Sequence, residues 1–259
     1  MYEYICYEKH FLKEVIARID FVVPIEALEK TLPPKLEKVL SEDFPISEPV
    51  DAISQELQVS DKGLLQHRQK QFKQWNFFGK EREKQISLAA PFVFFTYPKY
   101  TTFENMRNQF AKVIDGIKKT FPDARARRFG LRYINNIEIE NLSTPTSWGE
   151  YISSSLLETT SFFTDVKHLI RLIQIAEIKE EELSVKFQFG MPNPDYPAIM
   201  KRPQFVLDLD GYVQMSHDLD ESLQYMVQAH KKIQELFEKS ITKKLRERMN
   251  VRPTEPIQE

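Results

Sequence analysis

Three side chains between residues 208 and 217 are of the types that bind metal ions. Asp208 and Asp210 lie two positions apart in the segment "LDLDG", and His217 follows shortly after. If this segment is a strand, both carboxylates lie on the same face and can bind one ion together. The group therefore predicts a metal site, and with it a metal-dependent hydrolase. The same segment is also typical of a strand running into a turn, with Asp218 and Asp220 favoured at the start of a helix.

A strand pattern occupies residues 127–140, "RRFGLRYINNIEIE", but it carries arginines and asparagines where a core strand has aliphatic residues. Alternation places Tyr133 and Asn135 on one face, with Arg132 and Asn136 on the other. A buried amide costs about 1–3 kcal/mol unless it is hydrogen-bonded. One interpretation is therefore structural: Asn135 ties the strand to a neighbouring loop, and Arg132 pairs with a carboxylate across the sheet.

The second interpretation of this strand is functional. Arg132 and Asn136, together with Arg127 or Arg128, would line a groove for an anionic or peptide ligand. Arginines near an aromatic residue such as Tyr133 also suit single-stranded nucleic acid, because they offer phosphate contacts and a stacking surface. The solvated start of a strand explains the arginines without any ligand.

Several chemistries lack their sequence signatures. The chain has no Walker loop, no G-x-G-x-x-G, no G-x-S-x-G, no H-E-x-x-H and no paired C-x-x-C. It has 7 glycines and 15 prolines, so tight phosphate-binding turns are scarce. Cys6 is the single cysteine and cannot form an internal disulfide. His230 lies in the apolar line of the last helix, as packing histidines do. We predict no catalytic residue and no cofactor.

The bulk composition is that of a globular protein. The 259 residues include 36 basic and 38 acidic ones, and the net charge of −2 gives no overall attraction to nucleic acid or to an anionic membrane. No apolar run reaches the length of a membrane span, and the first ten residues lack the apolar region of a signal peptide. These features predict a cytoplasmic protein without membrane contact.

Periodicity predicts the elements that position these residues. Apolar positions at three-to-four spacing predict helices over 24–44, divided at Pro33–Pro34, and after a Thr101–Glu104 capping box. A final helix has an apolar line from Leu219 to Leu245, about seven turns. Strand patterns cover 11–23, 53–60, 68–79 with a turn at Gly63, 83–97, 127–140, 166–178, 181–191 and 204–215.

The order of these elements predicts an α+β fold with mostly antiparallel strands and two long amphipathic helices. Strands followed by a long helix occur twice, which predicts a degenerate internal duplication of a strand-strand-strand-helix unit. The alternative is that this order is common in α+β proteins. The predicted parts are an N-terminal half (1–140), a connector (141–165), a C-terminal half (166–250) and a frayed tail (251–259), or one continuous domain.

Four segments carry a family resemblance: "LKEVIARIDF", "QWNFFGKEREKQISL", "FGLRYINNIEI" and "AHKKIQELFEKSITKKLRE". Together they resemble an uncharacterised, sporadically distributed prokaryotic family of about this length, whose members have an LRYINRI-like strand in mid-chain. Asn136 stands where the family often has arginine. The resemblance implies no activity, but such patchy occurrence is similar to that of mobile defence or toxin–antitoxin modules.

We predict a non-enzymatic interaction protein that binds another protein or a second copy of itself, because a long apolar-striped helix and strand edges suit such contacts. The resemblance implies an accessory role in a prokaryotic defence or toxin–antitoxin module. Two alternatives stay open. One is a single-stranded nucleic-acid-binding protein that uses Arg125–Arg132, and the other is a metal-dependent hydrolase that uses Asp208, Asp210 and His217.

Overall fold

The computed structural model describes residues 6–59, 65–144 and 146–252. The strands are β1 (Cys6–Tyr7), β2 (Leu12–Phe21), β3 (Ile46–Val59), β4 (Leu65–Phe78), β5 (Gln85–Ala89), β6 (Phe92–Tyr97), β7 (Arg125–Glu138), β8 (Leu172–Glu180), β9 (Leu183–Met191), β10 (Gln204–Val213), β11 (His217–Asp218) and β12 (Val251–Arg252). The α-helices are α1 (Pro34–Asp43), α2 (Phe103–Thr120), α3 (Ser154–Ser161), α4 (Glu221–Ser240) and α5 (Lys243–Met249).

The strands form a ten-stranded sheet and a two-stranded one. The large sheet has the order β3-β4-β5-β6-β2-β7-β10-β9-β8, with β11 paired to β7, and the small sheet pairs β1 with β12. The pairs whose register is described are antiparallel. The predicted α+β fold with a mostly antiparallel sheet is confirmed.

The chain divides into two compact units, each built from separate stretches of sequence. Unit 1 comprises Met1–Val15, Gly130–Val213 and Tyr225–Glu259, and unit 2 comprises Ile16–Phe129 and Gln214–Gln224. β2 and β7 therefore contribute residues to both units. The division into 1–140, 141–165 and 166–250 stays a prediction.

The core of unit 2 lies between its strands and helices α1 and α2. The ring of Phe110 on α2 packs 5.0 Å from that of Phe95 on β6 and 5.9 Å from that of Phe129 on β7, between ring centroids. α2 begins after Thr102, whose side chain accepts a hydrogen bond from the backbone N–H of Asn105. Such a cap satisfies one of the backbone donors that a helix start leaves unpaired.

The core of unit 1 lies between its strands and α4. A methyl group at Gly211 on β10 would lie 3.0 Å from the Cβ atom of Ala229, so the helix approaches the strand closely there. Trp148 is fully buried, and its ring lies 5.4 Å from that of Phe205. The apolar line of α4 includes Met226 and Ala229, which are buried.

Each unit contains a first strand, a short helix, an antiparallel meander and a long helix. In unit 2 these are β2, α1, β3–β6 and α2, and in unit 1 they are β7, α3, β8–β10 and α4. In both units the first strand neighbours the last strand of the meander. This shared order supports the predicted duplication, which itself stays a prediction about ancestry.

Three details of the predicted elements were wrong. The segment 83–97 is a hairpin of β5 and β6, because the chain turns at Ala90–Pro91. The segment 166–178 begins with a 3₁₀ turn, Val166–His168, and β8 starts only at Leu172. The helix cap after the capping-box pattern is Thr102 instead of Thr101.

The last helix is two helices. α4 ends at Ser240, and Thr242 caps α5 by accepting from the backbone N–H of Leu245. The break occurs because Ile241 forms a β-bridge with Ile152, which takes the backbone out of helical geometry. The apolar periodicity continues across the break, so the sequence alone favoured one helix.

The predicted frayed tail, residues 251–259, is described only in part. Val251–Arg252 pair with β1 as strand β12, so this part of the tail predicted to fray is ordered. Residues 253–259 and the predicted turn at Gly63 lie outside the described ranges. No helix within those ranges is long and apolar enough to cross a lipid bilayer.

Candidate functional site

Arg132 forms a bidentate ion pair with Asp208. Its Nε and Nη2 atoms donate to the two carboxylate oxygens at 2.7 and 2.6 Å, from β7 to the neighbouring β10. The Asp208 side chain is 9% exposed and that of Arg132 is 44% exposed. The hydrogen bonds that Arg132 donates to Asp208 raise the pKa of Arg132, against a smaller opposing effect of burial. The predicted pairing of Arg132 with a carboxylate across the sheet is confirmed.

The two adjacent asparagines of β7 have different surroundings. Asn135 is buried, and its Nδ2 atom donates to the carbonyl oxygen of Leu207 at 3.2 Å. The predicted structural amide is thus present, but it ties β7 to the adjacent strand β10 and not to a loop. Asn136 is half-buried, and its Nδ2 atom donates to Glu138 Oε1 at 2.9 Å. The Oδ1 atom of Asn136 is buried and has no hydrogen-bond partner within the described part of the chain.

The aromatic residue of the predicted ligand site lies on the other face of the strand. Tyr133 is buried, and its hydroxyl group lies 3.1 Å from Nδ1 of His230 on α4. Arg132 lies on the opposite face, so these two side chains do not share a surface. Arg127 is exposed and Arg128 is half-buried. A ligand role for Arg127, Arg128 and Asn136 stays a prediction.

His217, a predicted metal ligand, forms hydrogen bonds with residues close to it in the sequence. It is buried, with Nδ1 at 2.9 Å from the carbonyl oxygen of Met215 and Nε2 at 3.0 Å from Oγ of Ser222. Asp208 is held by Arg132. Among the residues with described positions, no group of three or more His, Cys, Asp or Glu side chains could hold a metal ion. The structure thus provides no assembled site for the metal-hydrolase hypothesis, which stays a prediction.

The two carboxylates that follow His217 in the sequence pair with basic residues of unit 2. Asp218 lies 2.5 Å from Arg125, and Asp220 pairs with Lys118 of α2. Arg125 belongs to the segment predicted to bind nucleic acid. Its guanidinium group therefore has a protein counter-ion, which a phosphate would have to displace.

Sequence reasoning missed a buried charged cluster in unit 1. Glu238 of α4 is fully buried and accepts from the hydroxyl group of Tyr7 at 2.6 Å and from Nε of Arg246 at 2.7 Å. Burial and Glu238 raise the pKa of Tyr7. A cavity of about 520 Å³ lies beside this cluster and is lined by both signs of charge: Glu8, Lys243, Arg246, Glu247, Asn250 and Val251. Tyr7 and Glu238 lie 231 positions apart, and no sequence pattern connects residues so distant, so this contact was not predicted.

Sequence reasoning also missed the exposed aromatic side chains of unit 1. We call Phe162, Phe163 and Tyr196, together with the exposed Arg171 and Ile199, the aromatic surface. Phe162 is 83% exposed and Phe163 is 42% exposed, with the two rings edge to face. The guanidinium carbon of Arg171 lies 4.1 Å from the centre of the Tyr196 ring. Two adjacent phenylalanines in a turn-rich polar stretch were a sequence signal for this surface.

Two hydrogen bonds of Asn193 fix the loop that carries Tyr196 and Ile199. Its Nδ2 atom donates to the carbonyl oxygens of Ile170, at 2.7 Å, and Ala198, at 2.8 Å. The first bond ties the β9–β10 loop to the segment just before β8. The loop that carries Tyr196 and Ile199 is thus fixed beside the residue that precedes Arg171.

The chain matches no protein-family model and no curated protein.

Proposed function

We propose that this protein is a non-enzymatic interaction protein that binds another protein chain through the aromatic surface of unit 1. The exposure of the Phe162–Phe163 pair is the observation that carries the proposal. Leaving a phenylalanine in water forgoes about 1.5–3 kcal/mol of burial free energy, so two adjacent exposed rings are costly without a partner. Within the described residues, all the large aromatic side chains that are mainly exposed belong to this surface.

The composition of the surface supports a protein partner. Aromatic residues and arginine dominate the energetic centres of protein interfaces. Aromatic rings bury a large area with few rotatable bonds, and the planar guanidinium group of arginine offers several hydrogen-bond donors. The apolar line of α4, which the sequence suggested as a docking face, is covered by the strands of unit 1 and is unsuited to this role.

The charges around the surface favour a partner with acidic residues beside its apolar contact. The exposed basic residues of the two segments that carry the surface are Lys167, Arg171, Lys201 and Arg202. The carboxylates of these segments are Asp165, which is exposed, and Asp195, which is paired with Arg202. The basic excess would steer an acidic partner and fix its orientation.

A co-purification experiment tests this function. The tagged full chain is co-expressed with each protein encoded by its neighbouring genes, and the retained protein is quantified. We expect one of them to bind, and Phe162→Ser to weaken binding at least about thirtyfold, as loss of an interface hot spot does. The matched control is Val23→Ser, because Val23 is an exposed apolar residue of unit 2.

Retention of the partner by Phe162→Ser, or equal loss with Val23→Ser, would contradict the proposal. Binding of labelled single-stranded DNA with a steep salt dependence would instead favour the nucleic-acid function. The defence or toxin–antitoxin setting stays a prediction from the resemblance.

A further inference from the structure

β8 is the last strand of the large sheet, and its outer edge is open. Residues 175–180 are all exposed. Within the described ranges, β9 is its one strand neighbour. Helix α3 contacts the beginning of the strand through Gln174, which bonds to Thr159 and to the carbonyl oxygen of Leu156. An open edge presents unpaired backbone N–H and C=O groups that another strand can bind.

The opposite end of the sheet is less suited to strand addition. β3, the strand at that end, contains Pro49, which lacks a backbone N–H group, and β8 contains no proline. Both edge strands expose β-branched residues that gain from burial, Val50 and Ile53 on β3 and Ile175 and Ile178 on β8, so it is the proline that distinguishes them. The open edge of β8 is therefore the better site for strand pairing.

The charges on β8 define the strand that can pair with it. Glu177 and Lys179 lie on the same face, with Ile178 between them on the other face. Neither charge has a side-chain partner in the described part of the chain. In an antiparallel pair the two chains run in opposite directions. A partner strand with the sequence Glu-x-Lys therefore places its lysine opposite Glu177 and its glutamate opposite Lys179. Glu177-Ile178-Lys179 is itself such a sequence.

We propose that β8 pairs with β8 of a second copy of this chain, antiparallel and centred on Ile178. In this register Ile178 lies opposite its own copy, and each Glu177 lies opposite a Lys179. The contact is isologous, as a two-fold dimer requires. Sliding the register by two residues either way would place Glu177 opposite Glu177 or Lys179 opposite Lys179, and like charges directly opposite are destabilising.

This dimer goes beyond the proposed function, because it uses none of the residues of the aromatic surface. The two proposals can therefore fail independently: Phe162→Ser tests binding of another protein, and substitutions in β8 test self-association.

A charge-swap experiment on the full chain tests the dimer. In Glu177→Lys both charged positions are basic, and in Lys179→Glu both are acidic, so each variant repels its own copy and attracts the other. Sedimentation equilibrium should show a dimer for the unsubstituted chain and self-association weaker by roughly tenfold or more for each variant. An equimolar mixture of the two variants should restore the dimer.

Lys167→Glu is the matched control, because it makes the same charge change at an exposed residue outside β8. It should dimerise like the unsubstituted chain. All these positions are exposed, so the variants should fold normally, which circular dichroism checks. A monomeric unsubstituted chain at every concentration, a mixture that stays monomeric, or equal weakening by Lys167→Glu would each overturn the proposal.

Discussion

At the residue scale, the polar side chains of β7 act mainly as structure. The bidentate pair of Arg132 with Asp208 and the bond from Asn135 to the backbone of β10 join adjacent strands. Each satisfies a polar group that would be costly to bury alone. Arg132, which the sequence also offered as a ligand contact, thus helps to hold unit 1 together, and the buried Oδ1 atom of Asn136 has no hydrogen-bond partner among the described residues.

His230 makes stability depend on pH. Burial, with a smaller effect of Lys231, lowers its pKa to about 4, whereas the unfolded value is 6.5. Above pH 6.5 both states are neutral. Between pH 6.5 and 4 the unfolded state binds the proton more tightly, so the free energy of unfolding falls by up to about 1.4 kcal/mol per pH unit. Below pH 4 both states are protonated and this loss stops, at roughly 3 kcal/mol in total.

Urea denaturation at a series of pH values measures this effect. The His230→Gln variant should lack this part of the loss between pH 6.5 and 4, although its stability at pH 7 is lower because the contact with Tyr133 changes. His168 is 82% exposed, so His168→Gln is the matched control and should follow the unsubstituted protein. Parallel pH curves for His230→Gln and the unsubstituted protein would contradict the assignment.

At the element scale, one glycine determines how β8 lies against β9. Gly190 has a φ of +135°, a backbone conformation that residues with a side chain rarely adopt. A Cβ atom at this position would lie 2.1 Å from the carbonyl oxygen of Leu172, which is backbone of β8 and cannot move aside alone. The edge strand therefore depends on a residue without a side chain.

Gly190→Ala should lower the free energy of unfolding by more than about 2 kcal/mol, through backbone strain and this clash. Gly149→Ala is the matched control, because Gly149 is exposed and no atom lies within 4 Å of the new methyl group. It should change stability by less than about 0.5 kcal/mol. If the two substitutions changed the free energy of unfolding equally, in thermal or urea unfolding, β8 would not constrain Gly190.

At the scale of the whole molecule, the compact units do not follow the order of the chain. Unit 1 needs the start of the chain, residues 130–213 and the C-terminal helices, and unit 2 needs residues 214–224. His217 and Asp218 in that last segment pair with Ala126 and Arg125. A cut after residue 140 would therefore remove parts of both units.

The fragment 1–140 should not fold independently. It lacks β10 and α4, so Tyr133 and Asn135 would lose the partners that satisfy them in unit 1. Circular dichroism in urea should show no cooperative transition for this fragment, and mixing it with fragment 141–259 should restore one. A cooperative transition of the fragment alone would instead support the predicted N-terminal half.

The sequence by itself determined the elements whose apolar periodicity is long and regular. β2, α2, β7 and the start of α4 were predicted within a few residues, because burial of one face imposes the period of the element on the sequence. It also predicted the roles of Arg132 and Asn135, because a polar residue in an apolar strand requires a partner.

Only the tertiary structure decided which residues meet across long separations. The contacts of Tyr7 with Glu238 and of Arg132 with Asp208, the break before Thr242 and the exposure of Phe162 all depend on where distant segments pack. Periodicity reports which face of an element is buried, but it does not report what that face is buried against. For this reason the partner of each polar group, and the surfaces left open for another chain, became visible only in the folded protein.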